Sequence, residues 1–251
     1  MSRLKISDNE WLWLLPQLQK ISGICIGNLD NCRLFIGAVL WILRSGAQWR
    51  TLPESYGKWN SVFKRFSRWC KIGVWDKLLQ IFSQHSDLQD VSIDGSVIRA
   101  HACAAGAANS CADDEALGRS KGGFSVKIHA LCDALGLPIK FILTGGQVAE
   151  CKYAIPLMTN VKANALLADK GYDTNELRDW LTAQGIQAVI PPKSNRKEDI
   201  SCDFWLYKER HAVECMFGKL KHYRRIATRY EKKAINYMGM LSFSSTLFWL
   251  R

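Results

Sequence analysis

The sequence lacks several features that would place it in a specialised class of protein. Its apolar runs are far shorter than a membrane span, and its start, MSRLKISDNEWLW, lacks the charged-then-apolar order of a signal peptide. None of its nine cysteines lies in a CxxC pair or a paired Cys/His spacing, which argues against a zinc site and a disulfide scaffold. We therefore expect a cytoplasmic globular protein with no membrane partner.

Acidic residues are scarce relative to basic ones. The chain has 23 Asp and Glu against 34 Lys and Arg, which gives a formal charge of +11 and a pI near 9.3. This excess favours a polyanionic partner, with nucleic acid as the leading candidate, although charge alone also fits an ordinary basic cytosolic protein. The segment from Gly118 to Gly123 lacks the GK[ST] order of a P-loop, so we expect no nucleotide cofactor.

The first 88 residues have the periodicity of a small helical unit. Ser7 and Glu10 form a capping-box pattern at the start of the first helix, and Pro16 is expected to limit how far that helix runs. Asp30 or Asn31 is expected to cap the second helix.

A third helix is predicted from about Lys58 to Lys71, with a basic outer side. The cations that lie largely outside its apolar stripe are Lys64, Arg65, Arg68 and Lys71. A compact helical unit with one basic helix is typical of helix-turn-helix modules that enter a DNA groove. The alternative is the solvated cationic face of an ordinary amphipathic helix.

After residue 88 the periodicity changes to that of a mixed α/β sheet. Strands are predicted at 91–98, 124–131, 139–143, 165–168 and 188–190, with helices at 150–158 and 175–183. The segment 103–123 is rich in Ala, Gly, Ser and Asp and is predicted to be a long loop. The apolar stretch 237–251 is predicted to be a packing helix.

The stretch YKERHAVECMFGKLK places four polar side chains at helical spacing. Tyr207, Arg210, Glu214 and Lys221 are separated by three, four and seven residues, intervals that return to one side of an α-helix. The residues that take the neighbouring, core-facing arc are Val213, Met216, Phe217 and Leu220. One carboxylate beside two cations and a phenol suits a surface that holds a metal next to a phosphodiester.

Two further carboxylates follow from the strand predictions. Asp94 lies within a predicted strand and Asp169 at the carboxyl end of a buried one, so both could meet Glu214 at one sheet edge. Three carboxylates make a hard oxygen site for Mg²⁺ or Mn²⁺, and a pair of such ions promotes in-line displacement at phosphorus. Glu150 and Asp173 are weaker candidates, since either could simply cap a helix.

Several segments resemble one family. The spacing Tyr207-x2-Arg210-x3-Glu214-x6-Lys221 matches the signature of bacterial insertion-sequence DDE transposases with a ribonuclease H-like catalytic domain. The segments VSIDGS and LLADKGYD resemble the family's first two acidic motifs. GRSKGGFSVKIHALCDALGLPI and the helical first third resemble its short members, so the similarity covers nearly the whole chain.

The resemblance implies an α/β fold: a ribonuclease H-like mixed sheet flanked by helices, preceded by a small all-helical domain. The domains would be residues 1–88, which bind DNA, and residues 89–251, which catalyse. The implied catalytic and metal-binding triad is Asp94, Asp169 and Glu214. The implied phosphate contacts beside the cut strand are Tyr207, Arg210 and Lys221.

The implied partners are double-stranded DNA at the element ends and at the target, and a second copy of the chain, because two ends are processed together. The implied cofactor is Mg²⁺, with Mn²⁺ as a substitute. Lys193, Arg196 and Lys197, in a proline-broken basic insert, are further candidate phosphate contacts. His129 could approach the metal site, although a lone His in an apolar strand is more often a core residue.

Two other functions stay open at this point. A non-catalytic DNA-binding regulator or inactive remnant would keep the basic helices and tolerate the loss of acidic ligands. A metal-dependent nuclease of the same fold would cut DNA without joining it.

Overall fold

The computed structural model describes residues 5–107, 110–111, 114–120 and 122–250. Its α-helices are α1 (Asp8–Lys20), α2 (Leu29–Ser45), α3 (Trp59–Lys71), α4 (Val74–Phe82), α5 (Ala154–Met158), α6 (Asn175–Ala183), α7 (Phe204–Tyr207), α8 (His211–Lys221), α9 (Arg224–Ala227) and α10 (Ala234–Trp249). Its strands are β1 (Asp90–Ala100), β2 (Gly118–Ser120), β3 (Gly123–Cys132), β4 (Pro138–Gly145), β5 (Ala165–Leu167), β6 (Gln187–Val189) and β7 (Thr228–Arg229). Within these residues, no helix is both long and apolar enough to cross a membrane.

The chain packs as two compact units. The first comprises Met1–Gln84, Arg99–Glu115 and Leu220–Arg251, and the second comprises His85–Ile98 and Ala116–Lys219. The C-terminal helix thus belongs to the same unit as the N-terminal helices. The division of function between residues 1–88 and 89–251 is a separate matter and stays a prediction.

The first helix begins as predicted and ends later than predicted. The Ser7 hydroxyl accepts a hydrogen bond from the Glu10 N–H at 3.2 Å, and the Ser7 N–H donates to the Glu10 carboxylate at 2.8 Å, which confirms the capping box. The expectation that Pro16 limits the helix is wrong, because α1 continues to Lys20. Pro16 removes the bond to the carbonyl four residues earlier, at Leu12, and Leu12 lies on the exposed side where water can serve that carbonyl.

The second helix begins two residues before the expected caps. Asn28 is the N-cap, and its side-chain oxygen accepts from the Asn31 N–H at 3.0 Å. Asn31 is therefore the residue that is capped, because a cap side chain bonds the N–H three residues later.

Aromatic side chains form the core of the first unit. The Trp75 ring contacts Trp69 at 5.4 Å, Phe66 at 5.8 Å and Phe243 at 4.8 Å between centroids. Phe243 lies on α10, which packs against α3 and α4. The predicted role of the C-terminal stretch as a packing helix is confirmed, and its partners are the N-terminal helices.

The second unit is built on a mixed sheet. The strand order is β2-β3-β1-β5-β6, with β4 also paired to β3. The pairs β1–β5 and β5–β6 are parallel, whereas β2–β3 and β3–β4 are antiparallel. Helices α5 and α6 pack on this sheet through Leu157, Leu177 and Leu181, which lie with Leu166 in one buried cluster. The predicted mixed α/β sheet is confirmed.

The predicted loop at 103–123 is wrong in part. Its last residues form β2, which pairs with the start of β3. A side chain at Gly118 would collide with Gln147, so only glycine allows this close approach. The pairing depends on partners far along the chain, which local composition does not report. Part of the predicted loop, at 108–109, 112–113 and 121, lies outside the described residues.

Candidate active site

Three elements of the second unit position the three predicted carboxylates. Asp94 lies on β1, Asp169 lies two residues beyond the end of β5, and Glu214 is in the first turn of α8. The parallel register of β1 and β5 pairs Ser92 with Leu167. Asp94 and Asp169 each lie two residues further on, so alternation brings both carboxylates to the same side of neighbouring strands. The meeting of the first two acidic residues therefore follows from the register.

Arg210 joins the first and third carboxylates. Its Nη1 atom lies 3.3 Å from Asp94 Oδ2, and its Nη2 atom donates to Glu214 Oε1. The guanidinium carbon lies 5.8 Å from the centre of the Tyr207 ring. The tyrosine and glutamate of the sequence signature thus lie beside Arg210, which contacts Asp94.

The helix that carries this signature is not continuous, contrary to expectation. Helix α7 ends at Tyr207, a 3-10 turn spans Lys208–Arg210, and α8 begins at His211. Side-chain spacing alone does not distinguish a continuous helix from one with a tightened turn. The predicted core-facing residues Val213, Met216, Phe217 and Leu220 are nevertheless all buried. Lys221 is the last residue of α8, is exposed and belongs to the first unit.

Negative charge concentrates around Asp94. Burial is the main cause that raises the pKa of this carboxyl group, and the charges of Asp169 and Glu150 raise it further. The Gly95 N–H, which donates to Asp94 Oδ1 at 2.8 Å, and Arg210 act in the opposite direction. Mutual repulsion of this kind is relieved by a bound cation.

Glu150, a weaker candidate for the carboxylate site in the sequence analysis, lies beside Asp94. A Cβ atom added at Gly95 would come within 2.6 Å of the Glu150 carboxyl carbon, so Glu150 packs against the backbone next to Asp94. Lys127 holds it there, with Nζ 3.1 Å from Glu150 Oε1 and 2.7 Å from the Val148 carbonyl. The sequence signal was Gly95 itself, since glycine within a strand marks a close approach.

Asp173, the other rival carboxylate, has a structural role. It accepts from Arg178 Nε at 2.7 Å, from Arg196 Nε at 2.9 Å and from the Lys193 N–H at 2.8 Å. Burial alone would raise the pKa of Asp173, but the hydrogen bonds from Arg196, Lys193 and Arg178 outweigh it and hold this pKa well below its usual range. The carboxylate fastens the basic insert to the start of α6.

The predicted DNA-binding cations fall into two groups. Those exposed to solvent are Lys64, Arg68, Lys71 and Lys197, and Lys193 is partly exposed. Arg65 instead donates to the backbone carbonyls of Cys25 and Ile26 at 3.4 and 3.3 Å, and its guanidinium lies 4.4 Å from the Phe35 ring centre. Arg196 is paired with Asp173. Both arginines would have to give up these contacts to bind a phosphate.

His129 is a core residue in this structure. It is buried, its Nε2 lies 2.8 Å from Thr144 Oγ1, and its ring stacks on Tyr153 with centroids 4.6 Å apart. Burial, aided by the charge of Lys127, lowers the pKa of His129 from 6.5 to about 4. A buried neutral imidazole is the interpretation that the sequence favoured.

The arrangement holds Arg210 where a metal would have to approach. Within the described part of the chain, no group of three or more His, Cys, Asp or Glu side chains is arranged to hold a metal ion. The salt bridges of Arg210 to Asp94 and Glu214 engage carboxylate oxygens that a bound cation would need.

The mixed sheet flanked by helices has a ribonuclease H-like fold, and acidic residues on β1, after β5 and on α8 follow the order expected of a DDE domain. Residues 6–79 match the family model for transposases of the IS4/5 family, and residues 85–243 match the model described as transposase DDE domain. The chain belongs to the DDE transposases of bacterial insertion sequences, and its enzyme class is that of a DNA transposase.

Individual relatives agree with this assignment. A Brucella ovis protein assigned to insertion sequence element IS6501 is 39% identical over 130 residues, which cover 51% of this chain and 99% of that protein. The transposase for insertion sequence element IS1106 of Neisseria meningitidis serogroup B is 33% identical over 125 residues, which cover 47% of this chain and 41% of the relative.

One solved structure supports the fold. The piggyBac transposase, in a synaptic complex with hairpin DNA, aligns with a TM-score of 0.57 at 13% identity, covering 98% of this chain and 73% of that one. At this identity the likeness shows the fold alone.

Proposed function

We propose that this transposase binds double-stranded DNA at the ends of its insertion sequence and that Asp94, Asp169 and Glu214 hold the divalent ions, Mg²⁺ or Mn²⁺, used to cut and join strands. One observation carries the proposal. Arg210 contacts both Asp94 and Glu214, which are 120 residues apart in sequence (214 − 94), and the charge of Asp169, 75 residues from Asp94 (169 − 94), acts on Asp94 in the same unit.

The donor set fits a hard divalent cation. All three side chains offer carboxylate oxygens, which Mg²⁺ and Mn²⁺ prefer. Glu214 is largely exposed and Asp94 partly so, which leaves room for water and phosphate oxygens. When bound, such ions activate the attacking oxygen and offset charge on the leaving oxygen. Arg210 must release Asp94 and Glu214 for this to happen.

Arg210 and Lys221 are the proposed phosphate-binding cations of the site. A released Arg210 guanidinium offers a planar fork to two phosphate oxygens, and Lys221 at the end of α8 offers a compact charge. Both stabilise the negative charge that builds on pentavalent phosphorus. Tyr207 contacts the same backbone phosphate and is not a nucleophile.

The reaction has two stages. In the first, a water oxygen bonds to phosphorus while the bond to the 3′ oxygen breaks, and the strand gains a free 3′-hydroxyl. In the second, that hydroxyl attacks a phosphorus of the target DNA and displaces its 3′ oxygen. Because two element ends are processed together, the active assembly is a homodimer.

The exposed cations of α3 are the proposed end-binding surface. Lys64, Arg68 and Lys71 are exposed and available to neutralise phosphates. In the second unit, the exposed Lys197 and the partly exposed Lys193 are separate proposed phosphate contacts. Arg65 and Arg196 contribute less, since their guanidinium groups are engaged within the protein. The piggyBac transposase, which shares the fold, forms its synaptic complex with hairpin DNA, and this supports a DNA partner for the present chain.

One assay tests the proposal. Labelled DNA from the borders of the element is incubated with the protein, a target plasmid and Mg²⁺, and both nicks and joined products are scored. We expect Asp94→Asn, Asp169→Asn and Glu214→Gln to bind the ends and yield neither product. The exposed residue Asp179 provides the matched control, Asp179→Asn, which should behave as the wild type.

The same assay separates the alternatives. Nicks without joined products would indicate a nuclease, and end binding without nicks by the wild type would indicate a regulator. A triad variant that still cuts would be removed from the triad.

A further inference from the structure

The Arg210 side chain takes the place of a cation between two of the proposed metal ligands. Its Nη1 atom lies 3.3 Å from Asp94 Oδ2, and its Nη2 atom donates to Glu214 Oε1. The side chain is only 16% exposed, so it is enclosed by its partners and does not extend into solvent. A positive group that bridges two carboxylates competes with any metal ion that binds the same oxygens.

The two carboxylates hold Arg210 with unequal strength. Asp94 is 18% exposed, so water screens its attraction to Arg210 only in part. Glu214 is 55% exposed and lies one helical turn from Arg210, and exposed ion pairs at this spacing contribute little to stability. The bridge is therefore strong enough to compete with a metal ion and weak enough to be exchanged for another anion.

The local backbone allows Arg210 to leave while Glu214 stays in place. Arg210 ends the 3-10 turn Lys208–Arg210, and the hydrogen bonds of such a turn have poorer geometry than those of an α-helix. Glu214 belongs to α8, which is anchored because its neighbours Val213 and Met216 are fully buried. A rotation of the Arg210 side chain is thus sufficient to free both carboxylates.

A DNA phosphate is the anion that best replaces the carboxylates as a partner of Arg210. The guanidinium fork pairs with two phosphate oxygens in the same planar manner as with a carboxylate. Without DNA, an incoming metal ion must displace Arg210 into water. With a phosphate nearby, the displaced charge is neutralised again. Metal and DNA therefore favour the same position of Arg210, and ligands that favour one state raise each other's affinity.

We propose that Arg210 is a switch that keeps metal binding weak until a phosphate of the bound DNA end draws its guanidinium away from Asp94 and Glu214. The inference rests on the proposed function, because it takes these two carboxylates as metal ligands. The free protein then binds Mg²⁺ or Mn²⁺ weakly, and the seated DNA end strengthens that binding. Cleavage is thereby restricted to DNA that is already in place.

Removal of Arg210 should increase metal affinity in the absence of DNA. Mn²⁺ titrations, followed by electron paramagnetic resonance, compare the wild type with Arg210→Gln. The variant should bind Mn²⁺ about 5- to 150-fold more tightly, the range typical of coupling between two binding events. Lys208 is exposed and lies in the same 3-10 turn, so Lys208→Gln removes an equal charge and should leave the Mn²⁺ affinity close to that of the wild type.

A precut duplex of the element end tests the action of DNA on the switch. The duplex already ends in a 3′-hydroxyl, so Mn²⁺ can be titrated without target DNA, and the Mn²⁺ taken up by the duplex alone is subtracted. The wild type should gain Mn²⁺ affinity with the duplex, and Arg210→Gln should gain less because its carboxylates are already free. Arg210→Lys keeps the charge without the fork, so it should show part of the increase without DNA even if Arg210→Gln folds poorly.

Asp94→Asn separates failure of the switch from failure of the metal site. If Arg210→Gln binds Mn²⁺ no more tightly than the wild type while Asp94→Asn loses Mn²⁺, the switch is overturned and the proposed metal site stands. An equal gain for Lys208→Gln would mean that net charge sets the affinity, which also overturns the switch. Mn²⁺ binding that Asp94→Asn leaves unchanged would overturn the site and the switch together.

Discussion

Asp94 and Asp173 are two aspartates of the same unit with opposite environments. Asp173 is 1% exposed, is surrounded by two arginines and a backbone N–H, and has a lowered pKa. Asp94 is 18% exposed, has one arginine at 3.3 Å and neighbouring carboxylates, and has a raised pKa. The Asp173 carboxylate accepts four hydrogen bonds from the protein, whereas the Asp94 carboxylate accepts two.

We infer from this difference that Asp173 has a structural role, whereas Asp94 is available for the proposed metal site. A group whose hydrogen-bonding capacity is filled contributes to stability and has nothing left for a ligand. A group that is kept among like charges lowers stability and gains when a cation arrives. Substitution at the two positions should therefore affect different properties.

The largest expected effect is the loss of DNA cleavage when Asp94 is substituted. Asp94→Asn should reduce strand cleavage by on the order of 10³-fold or more, as loss of a catalytic group does. The free energy of unfolding should be unchanged or slightly higher, because burial, and then the charges of Asp169 and Glu150, disfavour the Asp94 charge that the substitution removes. Gel-based cleavage assays and urea denaturation of the same preparation provide the two measurements. A large loss of stability would mean that Asp94 is structural.

Substitution of Asp173 should show the reverse: a large loss of stability and little change in cleavage. Asp173→Ala leaves Arg178 and Arg196 without their shared partner and should lower the free energy of unfolding by about 3–5 kcal/mol. Under conditions where it is folded, cleavage should remain within a small factor of the wild type. Asp179→Ala, on the exposed side of α6, is the control that should leave stability unaltered. Equal stabilities for the two variants would contradict the assignment.

Glu150 provides an intermediate case. Its carboxylate packs beside Asp94 without belonging to the proposed triad, so it acts by positioning. Glu150→Gln should lower cleavage by about 10- to 100-fold, as the loss of residues that orient metal ligands does. The apparent Mg²⁺ requirement should rise along with this loss, which a purely structural defect would not produce. Cleavage by the wild type and by Glu150→Gln, measured over a range of Mg²⁺ concentrations, distinguishes a positioning role from a structural defect.

The smallest effect concerns pH. The folded-state pKa of His129 is about 4 against an ordinary 6.5, so below pH 6.5 the unfolded chain binds a proton that the folded chain does not. Stability is therefore fully present above pH 6.5 and falls towards pH 4, by up to about 1.4 kcal/mol per pH unit. The Asp173 contribution is lost only at lower pH, since its pKa is already below the ordinary 3.8. His129→Gln should flatten the slope in urea denaturation, and His211→Gln, at an exposed histidine, should leave it as it is.

The positions of Asp94 and Asp169 could be predicted because strand alternation and an apolar run are local signals. Helical spacing predicted the face that carries Glu214, and the burial of Val213, Met216, Phe217 and Leu220 confirms which residues of α8 face the core. The role of Glu214 stays a prediction. The place of Glu150 could not be predicted, because its packing on Gly95 depends on how the chain returns after β4. The internal pairing of Arg65 is similar, since its backbone partners lie 39 and 40 residues away.

The central proposal is that Asp94, Asp169 and Glu214 form a divalent metal site once Arg210 releases Asp94 and Glu214. Electron paramagnetic resonance of Mn²⁺, titrated into the wild type, Asp94→Asn, Glu214→Gln and Asp179→Asn, tests it directly. Bound Mn²⁺ in the wild type and in Asp179→Asn, with its loss from the other two variants, is the predicted result. Unchanged Mn²⁺ binding by Asp94→Asn and Glu214→Gln would contradict the account.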